Sequence, residues 1–331
     1  MSQPTEEKMA NVFTEGARAT GLREAVAQEL IRLAEADERV VVLSADMGAA
    51  VAAFRERFPN RYFDFGIAET NTISVAAGLA ASGFRPYVIS MAPFGAIKCA
   101  EQIRTDLAYT MMPVRILALL SGVAMGFFGT SHHAVEDIAI LRAITNMTVV
   151  APSDVPSFAG LLESTREAAG PVFFRLCEGT ETPLYAEPPK VDLGRWPVLR
   201  EGRDLTLIGT GVGTQIAVQV ADQLRHQGLN LRVVDALSLK PLDEAQIERA
   251  VAETRGIVTV EEHNVVGGLG SAVAEILGRR GWVAPLATVA LPDEDLEVGV
   301  PAYLRQRYGL TPEAVADVTR ALWSKTGGTR A

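Results

Sequence analysis

Amphipathic helical segments and short apolar strands alternate along most of this 331-residue chain. Apolar residues recur at helical spacing over residues 21–36, and the apolar run Val40–Ser44 follows at once. The same alternation continues to residue 175 and resumes after residue 198. Strands that alternate with helices form mostly parallel sheets, covered on both faces. The sequence therefore predicts an α/β protein with two doubly wound domains.

A proline-rich stretch separates the two alternating regions. Residues 181–197 contain four prolines and show little periodicity, which is typical of a linker. A chain of this length usually divides into two cores. We expect a first domain over residues 12–182, a linker over residues 183–197 and a second α/β domain over residues 198–331.

The overall composition argues against several classes of protein. A formal charge of −9 leaves no basic surface for nucleic acid or for an anionic membrane. The longest apolar run, residues 116–128, is too short to span a bilayer, and the acidic N-terminus differs from a secretory or transit peptide. Cys99 and Cys177 have neither metal-ligand nor redox spacing. We expect a cytoplasmic protein with reduced thiols.

One acid stands where a predicted strand gives way to a helix. An aromatic and apolar run predicts a strand that ends at Ile67, and small residues over 70–82 predict a helix that Thr70 or Asn71 can cap. Glu69 then lies at the carboxyl edge of a sheet, where open α/β sheets bind their ligands. Taken alone, Glu69 also fits an ordinary acid that the helix dipole stabilises.

Three other motifs follow predicted strands. Asp46 ends a Ser-Ala-Asp sequence, Phe94 lies in Met-Ala-Pro-Phe-Gly, and His132 and His133 share a loop that begins with glycine. Histidine is suited to proton transfer near neutral pH. Simpler interpretations remain open, with Asp46 as a loop acid and Phe94 as a core residue. A zinc site is a further alternative for the histidines, but no cysteine or third histidine lies at a suitable spacing.

Two of these motifs carry a resemblance to a known family. Residues 65–71, Phe-Gly-Ile-Ala-Glu-Thr-Asn, and residues 129–137, Gly-Thr-Ser-His-His-Ala-Val-Glu-Asp, resemble sequences of the thiamine diphosphate enzymes of the transketolase family. The resemblance covers residues 15–325 and corresponds to the family's pyrimidine-binding and C-terminal domains. It implies that Glu69 hydrogen-bonds the aminopyrimidine ring of the cofactor and favours the imino tautomer that removes the C2 proton.

The resemblance also implies roles for the neighbouring motifs. Phe94 would stack on the aminopyrimidine ring, and Ile67 would border it. Asp46 would approach the cofactor from a subunit interface. His132 occupies the position of the family's active-site histidine, where it would contact the donor ketose, whereas His133 would be structural.

A partner subunit follows from the same resemblance. The family's diphosphate-binding domain, whose Gly-Asp-Gly motif and downstream asparagine hold a divalent metal, has no counterpart in the sequence. We expect an N-terminal transketolase subunit to supply it and to hold Mg²⁺ or Ca²⁺, with no metal ligand in this chain. The expected assembly is an α2β2 heterotetramer, with self-association through the pyrimidine-binding and C-terminal domains.

Several positions depart from the family pattern on the substrate side. Phe128 replaces an aspartate that reads a substrate hydroxyl, and Leu120 replaces a histidine. Glu178 and Ala50 stand where the family has a phosphate-binding arginine and serine, which leaves Arg23 as the remaining part of the phosphate clamp. A carboxylate repels a phosphate that an arginine would bind. We therefore expect an acceptor other than an ordinary pentose phosphate.

The resulting interpretation is the C-terminal subunit of a split transketolase, a transferase that is active only with its partner subunit. It would transfer a two-carbon ketol unit through thiamine diphosphate. One alternative is the β subunit of a 2-oxo acid dehydrogenase, which has a similar length and domain order. Another is a catalytically silent assembly subunit.

A glycine cluster in the second domain allows two interpretations. Gly267-Gly-Leu-Gly270 precedes a predicted helix, and such a turn can bind a phosphate. A single glycine cluster is weak evidence for that function. Tight packing and domain positioning fit the sequence better.

Overall fold

Two open sheets, each covered by helices, make up the computed structural model, which describes residues 20–177 and 182–327. The strands are β1 (Val40–Ser44), β2 (Tyr62–Asp64), β3 (Arg85–Met91), β4 (Arg115–Leu119), β5 (Thr148–Val150), β6 (Val172–Arg175), β7 (Val198–Arg200), β8 (Thr206–Gly209), β9 (Arg232–Asp235), β10 (Ser238–Lys240), β11 (Ile257–Asn264) and β12 (Leu286–Leu291). The helices are α1 (Thr20–Ala36), α2 (Ala52–Arg57), α3 (Glu69–Ala81), α4 (Asp137–Ala143), α5 (Val155–Ser164), α6 (Val212–Arg225), α7 (Glu244–Glu253), α8 (Leu269–Arg280), α9 (Pro301–Arg307) and α10 (Pro312–Lys325).

The first sheet has seven strands in the order β10-β5-β6-β4-β3-β1-β2. All neighbours are parallel except β10, which is antiparallel to β5. The second sheet has five strands in the order β12-β11-β8-β9-β7, and only β7 is antiparallel to its neighbour. The predicted α/β class with mostly parallel sheets is confirmed. Because β10 comes from the second half of the chain, that half contributes to both sheets.

The core explains why helices cover both faces of the first sheet. Val41 and Leu43 of β1 join an apolar cluster that includes Ile73 of α3. Val40 and Val42, which point to the opposite face, join a second cluster with Leu30 of α1. The first cluster continues into the second sheet through residues of β8, β9 and β11, so a shared apolar layer joins the two sheets.

The strand before Glu69 differs from its prediction. β2 ends at Asp64, and Ile67 lies beyond it with 75% of its surface exposed. The Asp64 carboxylate accepts a hydrogen bond from the Gly66 backbone N–H at 2.8 Å, and Gly66 turns the chain with a φ of +63°. Helix α3 then begins at Glu69 itself, with Ala68 as its N-cap and no capping side chain. The expected caps at Thr70 and Asn71 are therefore wrong.

The helical segment after Phe94 is irregular. Its turns at Phe94–Lys98 and Ile103–Ala108 have π-helical hydrogen bonding, on either side of the short α-helical turn Ala100–Gln102. Such turns are rare and occur often at functional sites. Among the described residues, no helix is both long enough and apolar enough to cross a membrane.

Candidate functional site

Four of the predicted site residues follow consecutive strands of the first sheet. Asp46 comes two residues after β1, Glu69 five after β2, Phe94 three after β3 and Leu120 directly after β4. Because these strands are parallel, their carboxyl ends lie at one edge of the sheet. The structure therefore brings these positions to the edge at which open α/β sheets bind ligands.

Glu69 is buried and has a charged partner. Only 4% of the residue is exposed, and Lys98 Nζ lies 2.6 Å from Glu69 Oε2. The lysine side chain is 45% exposed, so the pair links a buried carboxylate to a partly solvated ammonium group. Burying an unpaired carboxylate is costly, and the lysine offsets that cost. The position of Glu69 at the first turn of α3 adds favourable helix-dipole electrostatics.

Aromatic rings surround the predicted histidine. The Phe94 and His132 ring centroids are 5.2 Å apart with an edge-to-face angle of 81°. The Phe128 ring centroid lies 4.7 Å from that of the imidazole at an angle of 35°, and the Phe127 ring lies 4.7 Å from that of Phe128. Burial lowers the pKa of His132, so its imidazole is neutral at pH 7. A neutral imidazole can accept a proton at one nitrogen and donate at the other.

The edge of the sheet holds two residues in an unusual backbone conformation. Asp46 has a φ of +55° and Leu120 a φ of +61°, in the left-handed region that side chains other than glycine seldom adopt. For leucine this conformation is a clear outlier. Such strain persists where the surrounding structure enforces it, and it concentrates at functional sites. Asp46 is exposed, and the Leu120 side chain is half-buried.

The remaining predicted site residues differ in how much surface they offer. Ile67 is exposed in the loop before α3, and Phe128 is 46% exposed. Ala50 is buried at 4% exposure and contributes little surface to the entrance. Glu178 lies outside the described residues. The backbone of Arg23 belongs to α1, but its side chain is not among the described parts.

The histidine loop, residues 121–136, is fastened by a buried arginine of β6. The Arg175 Nε donates to both carboxylate oxygens of Asp137, at 3.1 and 2.9 Å. Its Nη2 donates to the carbonyl oxygens of Ala134, at 3.0 Å, and of Glu262 in β11, at 2.8 Å. The Arg175 and Asp137 side chains are 2% and 0% exposed. One side chain thus ties the histidine loop to both sheets.

Further contacts hold the loop against the second half of the chain. The Asn264 N–H donates to the Val135 carbonyl at 2.8 Å, and the Gly299 N–H donates to the Gly126 carbonyl at 3.2 Å. Gly122 has no room for a side chain, since a Cβ there would lie 1.9 Å from Glu262 Oε2. The loop that carries His132 is therefore shaped by residues of β11 and of the segment before α9.

The glycine cluster before α8 already holds an anion from its own chain. The Glu261 carboxylate accepts hydrogen bonds from the Leu269 N–H at 2.6 Å and from the Gly270 N–H at 2.7 Å. A Cβ on Gly268 would lie 2.0 Å from Glu261 Oε2. A phosphate at this helix start would have to displace a fully buried side chain. The packing interpretation of this cluster therefore fits the structure, and the phosphate-binding one does not.

Lys98, Arg175 and Glu262 are the polar residues that sequence reasoning missed. Lys98 is a lone cation four residues after Phe94, which places both on the same side of the helical segment. Arg175 ends an otherwise apolar buried strand, a position where a charge is costly without a partner. Glu262 lies within the long β11 strand. The first two positions carried a signal that is visible in the sequence.

The described residues fit the aminopyrimidine ring of thiamine diphosphate. Glu69 offers a buried carboxyl group that can bond a ring nitrogen, and Phe94 offers an aromatic ring in the segment that packs against α3. Within residues 20–177 and 182–327, no group of three histidine, cysteine or acidic side chains could hold a metal ion.

The sequence matches two family models. One is described as "Transketolase, pyrimidine binding domain" and matches residues 18–181. The other is described as "Transketolase, C-terminal domain" and matches residues 194–315. Glu69, Phe94 and His132 all fall within the first match.

Individual proteins extend this finding. The chain is 35% identical to a 6-deoxy-6-sulfo-D-fructose transketolase subunit from a Clostridium species, over 95% of this chain and 96% of the relative. It is 38% identical to the 1-deoxy-D-xylulose-5-phosphate synthase of Desulforudis audaxviator, over 88% of this chain but only 46% of that enzyme. A solved structure described as "Split gene transketolase, inactive beta4 tetramer" is similar with a TM-score of 0.85 and 35% identity, over 92% of this chain and 98% of that one.

Proposed function

Because the chain belongs to the transketolase family, we propose that it is the C-terminal subunit of a split, thiamine diphosphate-dependent transketolase. The observation that carries the proposal is the buried Glu69 carboxyl group at the carboxyl edge of the matched pyrimidine-binding domain, where the nearby segment Phe94–Lys98 packs against α3 and Phe94 contacts His132. We assign this domain to residues 12–182, the linker to residues 183–197 and the C-terminal domain to residues 198–331.

Thiamine diphosphate, when bound, supplies the carbon nucleophile that carries the two-carbon unit. Glu69 holds a proton at the aminopyrimidine ring nitrogen, and its burial excludes water from that hydrogen bond. Phe94 stacks on the ring, and the exposed Ile67 borders it. Asp46 contacts the cofactor from the subunit interface.

His132 is assigned to the substrate. Its ring contacts Phe94 and Phe128, and these two contacts orient the imidazole. Nδ1 lies 2.9 Å from the Ser131 hydroxyl oxygen, which leaves Nε2 for a substrate oxygen. Because burial lowers the pKa of His132, the neutral ring can both accept and return a proton near pH 7.

The proposed acceptor is not a standard pentose phosphate. Phe128 and Leu120 give the entrance an apolar character, and Glu178 stands where an arginine would bind a phosphate. Arg23 remains for one anionic group. A similar subunit is named for a sulfosugar, 6-deoxy-6-sulfo-D-fructose, which supports an acceptor or donor outside the pentose phosphates.

The proposed partner is an N-terminal transketolase subunit that carries the diphosphate-binding domain and holds most of the Mg²⁺ or Ca²⁺ ligands. A relative that is matched over 96% of its own length is named as a transketolase subunit, which supports a partner polypeptide. The similar solved structure is an inactive tetramer of β subunits, which supports dependence on a partner. We propose an α2β2 heterotetramer with a cytoplasmic location.

Co-purification followed by an activity assay tests this function. A tagged copy of the chain, expressed in its native cell, should retain a chain of about 250–300 residues that carries a Gly-Asp-Gly motif. The complex should transfer a ketol unit from a ketose to an aldehyde only when thiamine diphosphate and Mg²⁺ are present. Reduction of a lipoyl group with a 2-oxo acid would instead identify a 2-oxo acid dehydrogenase subunit. No activity with either class would identify an assembly subunit.

A further inference from the structure

We propose that Lys98 is a resting counterion of Glu69, which the aminopyrimidine ring of the cofactor displaces when it binds. The proposal rests on the proposed function and adds a step to it. In the free chain the lysine stabilises the buried carboxylate. On binding, Lys98 Nζ moves to water and the carboxyl group bonds the ring instead.

Lys98 already bonds the Glu69 carboxyl group, which the aminopyrimidine ring would also need to bond. Its Nζ lies 2.6 Å from Glu69 Oε2, within a short charge-assisted hydrogen bond. Within the described parts of the chain, this is the hydrogen bond that the Glu69 side chain makes. An ammonium group only donates, so it competes directly with a ring nitrogen for the same carboxyl group.

The placement of Lys98 in the helical segment supports this competition. Phe94 and Lys98 begin and end the π-helical turn Phe94–Lys98, four residues apart and on one side of the segment. The segment packs against α3, which carries Glu69. A ring stacked on Phe94 and bonded to Glu69 would therefore enter the space that the lysine head group borders.

The exposure of the two partners explains which of them can move. The Glu69 side chain is 5% exposed and belongs to a regular helix, so it stays in place. The Lys98 side chain is 45% exposed and flexible, so its ammonium group can exchange the carboxylate for water at low cost. Only the lysine end of the pair reaches water, so the ammonium group can be solvated while the ring takes over the buried carboxyl group.

Calorimetry on variants of the reconstituted two-subunit complex tests the displacement. Lys98→Met and Lys98→Gln remove the competitor, and Lys98→Arg is the matched control that keeps the charge. We expect thiamine diphosphate with Mg²⁺ to bind about two- to tenfold more tightly to both neutral variants and with nearly unchanged affinity to Lys98→Arg. In the free chain, urea unfolding of Lys98→Met, Glu69→Gln and the double variant should give a favourable coupling between the two residues.

The outcomes separate this proposal from the function on which it rests. Weaker or unchanged binding by both neutral variants would mean that Lys98 assists the cofactor or does not compete with it, and it would overturn the displacement. An absence of coupling in the free chain would overturn the resting pair. A wild-type complex that fails to bind thiamine diphosphate would overturn the proposed function, and the displacement with it.

Discussion

The two sheets each place a buried carboxylate at the start of a helix, but they treat it differently. In the second sheet, Glu261 is fully buried and bonded to the fixed backbone N–H groups of Leu269 and Gly270. In the first sheet, Glu69 is bonded to the mobile ammonium group of Lys98. Fixed donors make Glu261 a permanent part of the helix start. A replaceable donor leaves Glu69 available to a ligand.

The sheet edges around Glu69 and Glu261 also differ in how much of their surface is exposed. At the edge of the first sheet, Phe128 and Ile67 are exposed, and Asp46 and Leu120 hold strained conformations. At the edge of the second sheet, the end of β11 at Glu261–His263 is buried, and β11 bonds the histidine loop through Glu262 and Asn264. Two similar α/β edges therefore differ: one exposes its side chains, and the other contacts and positions the histidine loop.

The largest effect should come from exchanging the Glu69 carboxylate, but not that of Glu261, for an amide. Glu69→Gln keeps the shape of the side chain but cannot hold the proton at the aminopyrimidine ring. In the reconstituted complex, we expect hydrogen–deuterium exchange at cofactor C2 to slow by at least about 100-fold. Glu261→Gln is the matched control and should exchange at nearly the wild-type rate per folded molecule. Equal slowing in both variants would remove the distinction between the two carboxylates.

Breaking the link between the sheets should cost the most stability. Arg175→Met leaves the Asp137 carboxylate buried without its main partner, and we expect the free energy of unfolding to fall by about 3–5 kcal/mol. Arg200→Met, which loses an exposed pair with Asp222, should cost less than about 1 kcal/mol. Urea denaturation measures both values. Similar losses for the two variants would show that the buried link has no special weight.

The stability that Glu261 contributes at the edge of the second sheet should depend on pH in a particular direction. Burial raises the pKa of Glu261 from 4.5 to about 7, so the folded chain binds this proton more tightly than the unfolded chain. The resulting stability is fully present below pH 4.5 and is lost as the pH rises through 7. The difference in pKa corresponds to about 3 kcal/mol.

Glu261→Gln checks this pH dependence because an amide does not ionise. Relative to this variant, the wild-type chain should lose about 3 kcal/mol of unfolding free energy between pH 4.5 and pH 7. Glu275→Gln, at a half-exposed position paired with Arg142, should retain the wild-type slope. A wild-type slope in Glu261→Gln would mean that another group titrates in this range.

The smallest effect concerns the substrate entrance at the open edge. An unpaired polar group of a substrate against Phe128 and Leu120 costs about 1–3 kcal/mol. We expect kcat/KM for ribose 5-phosphate to fall about tenfold or more below that for unphosphorylated aldehydes in the reconstituted complex. For substrates that present a hydroxyl group, Phe128→Asp should reduce this difference in kcat/KM. A wild-type preference for ribose 5-phosphate would show that these substitutions do not set the acceptor.

The sequence predicted the regular parts of both sheets because buried parallel strands are continuous apolar runs. The strand at Val40–Ser44 matches its prediction, and the alternation predicted up to residue 175 ends with β6. The edge strands β7, β10 and β12 were missed. β7 and β10 have only three residues, which carry little pattern, and all three strands pair with distant chain segments. The predicted end of β2 and the predicted cap of α3 were wrong because the Asp64–Gly66 turn ends the strand before the apolar run does.

For the site, the sequence located the residues at the sheet edge but not their partners. The positions of Glu69, Phe94 and His132 followed from strand ends, a local signal. The Lys98–Glu69 pair spans 29 residues and the Arg175–Glu262 contact spans 87, so both depend on how distant segments pack. Glycine spacing alone could not distinguish the turn before α8 from a phosphate site, because Glu261 fills it.

Calorimetric titration of thiamine diphosphate and Mg²⁺ tests the central claim that the edge of the first sheet, which carries Glu69, is half of a cofactor site. The chain alone, the partner alone and the reconstituted complex are titrated under one set of conditions. We expect weak or undetectable binding by either subunit alone and tight, Mg²⁺-dependent binding by the complex, because the diphosphate and metal ligands lie on the partner. Tight, Mg²⁺-dependent binding by this chain alone would contradict the account.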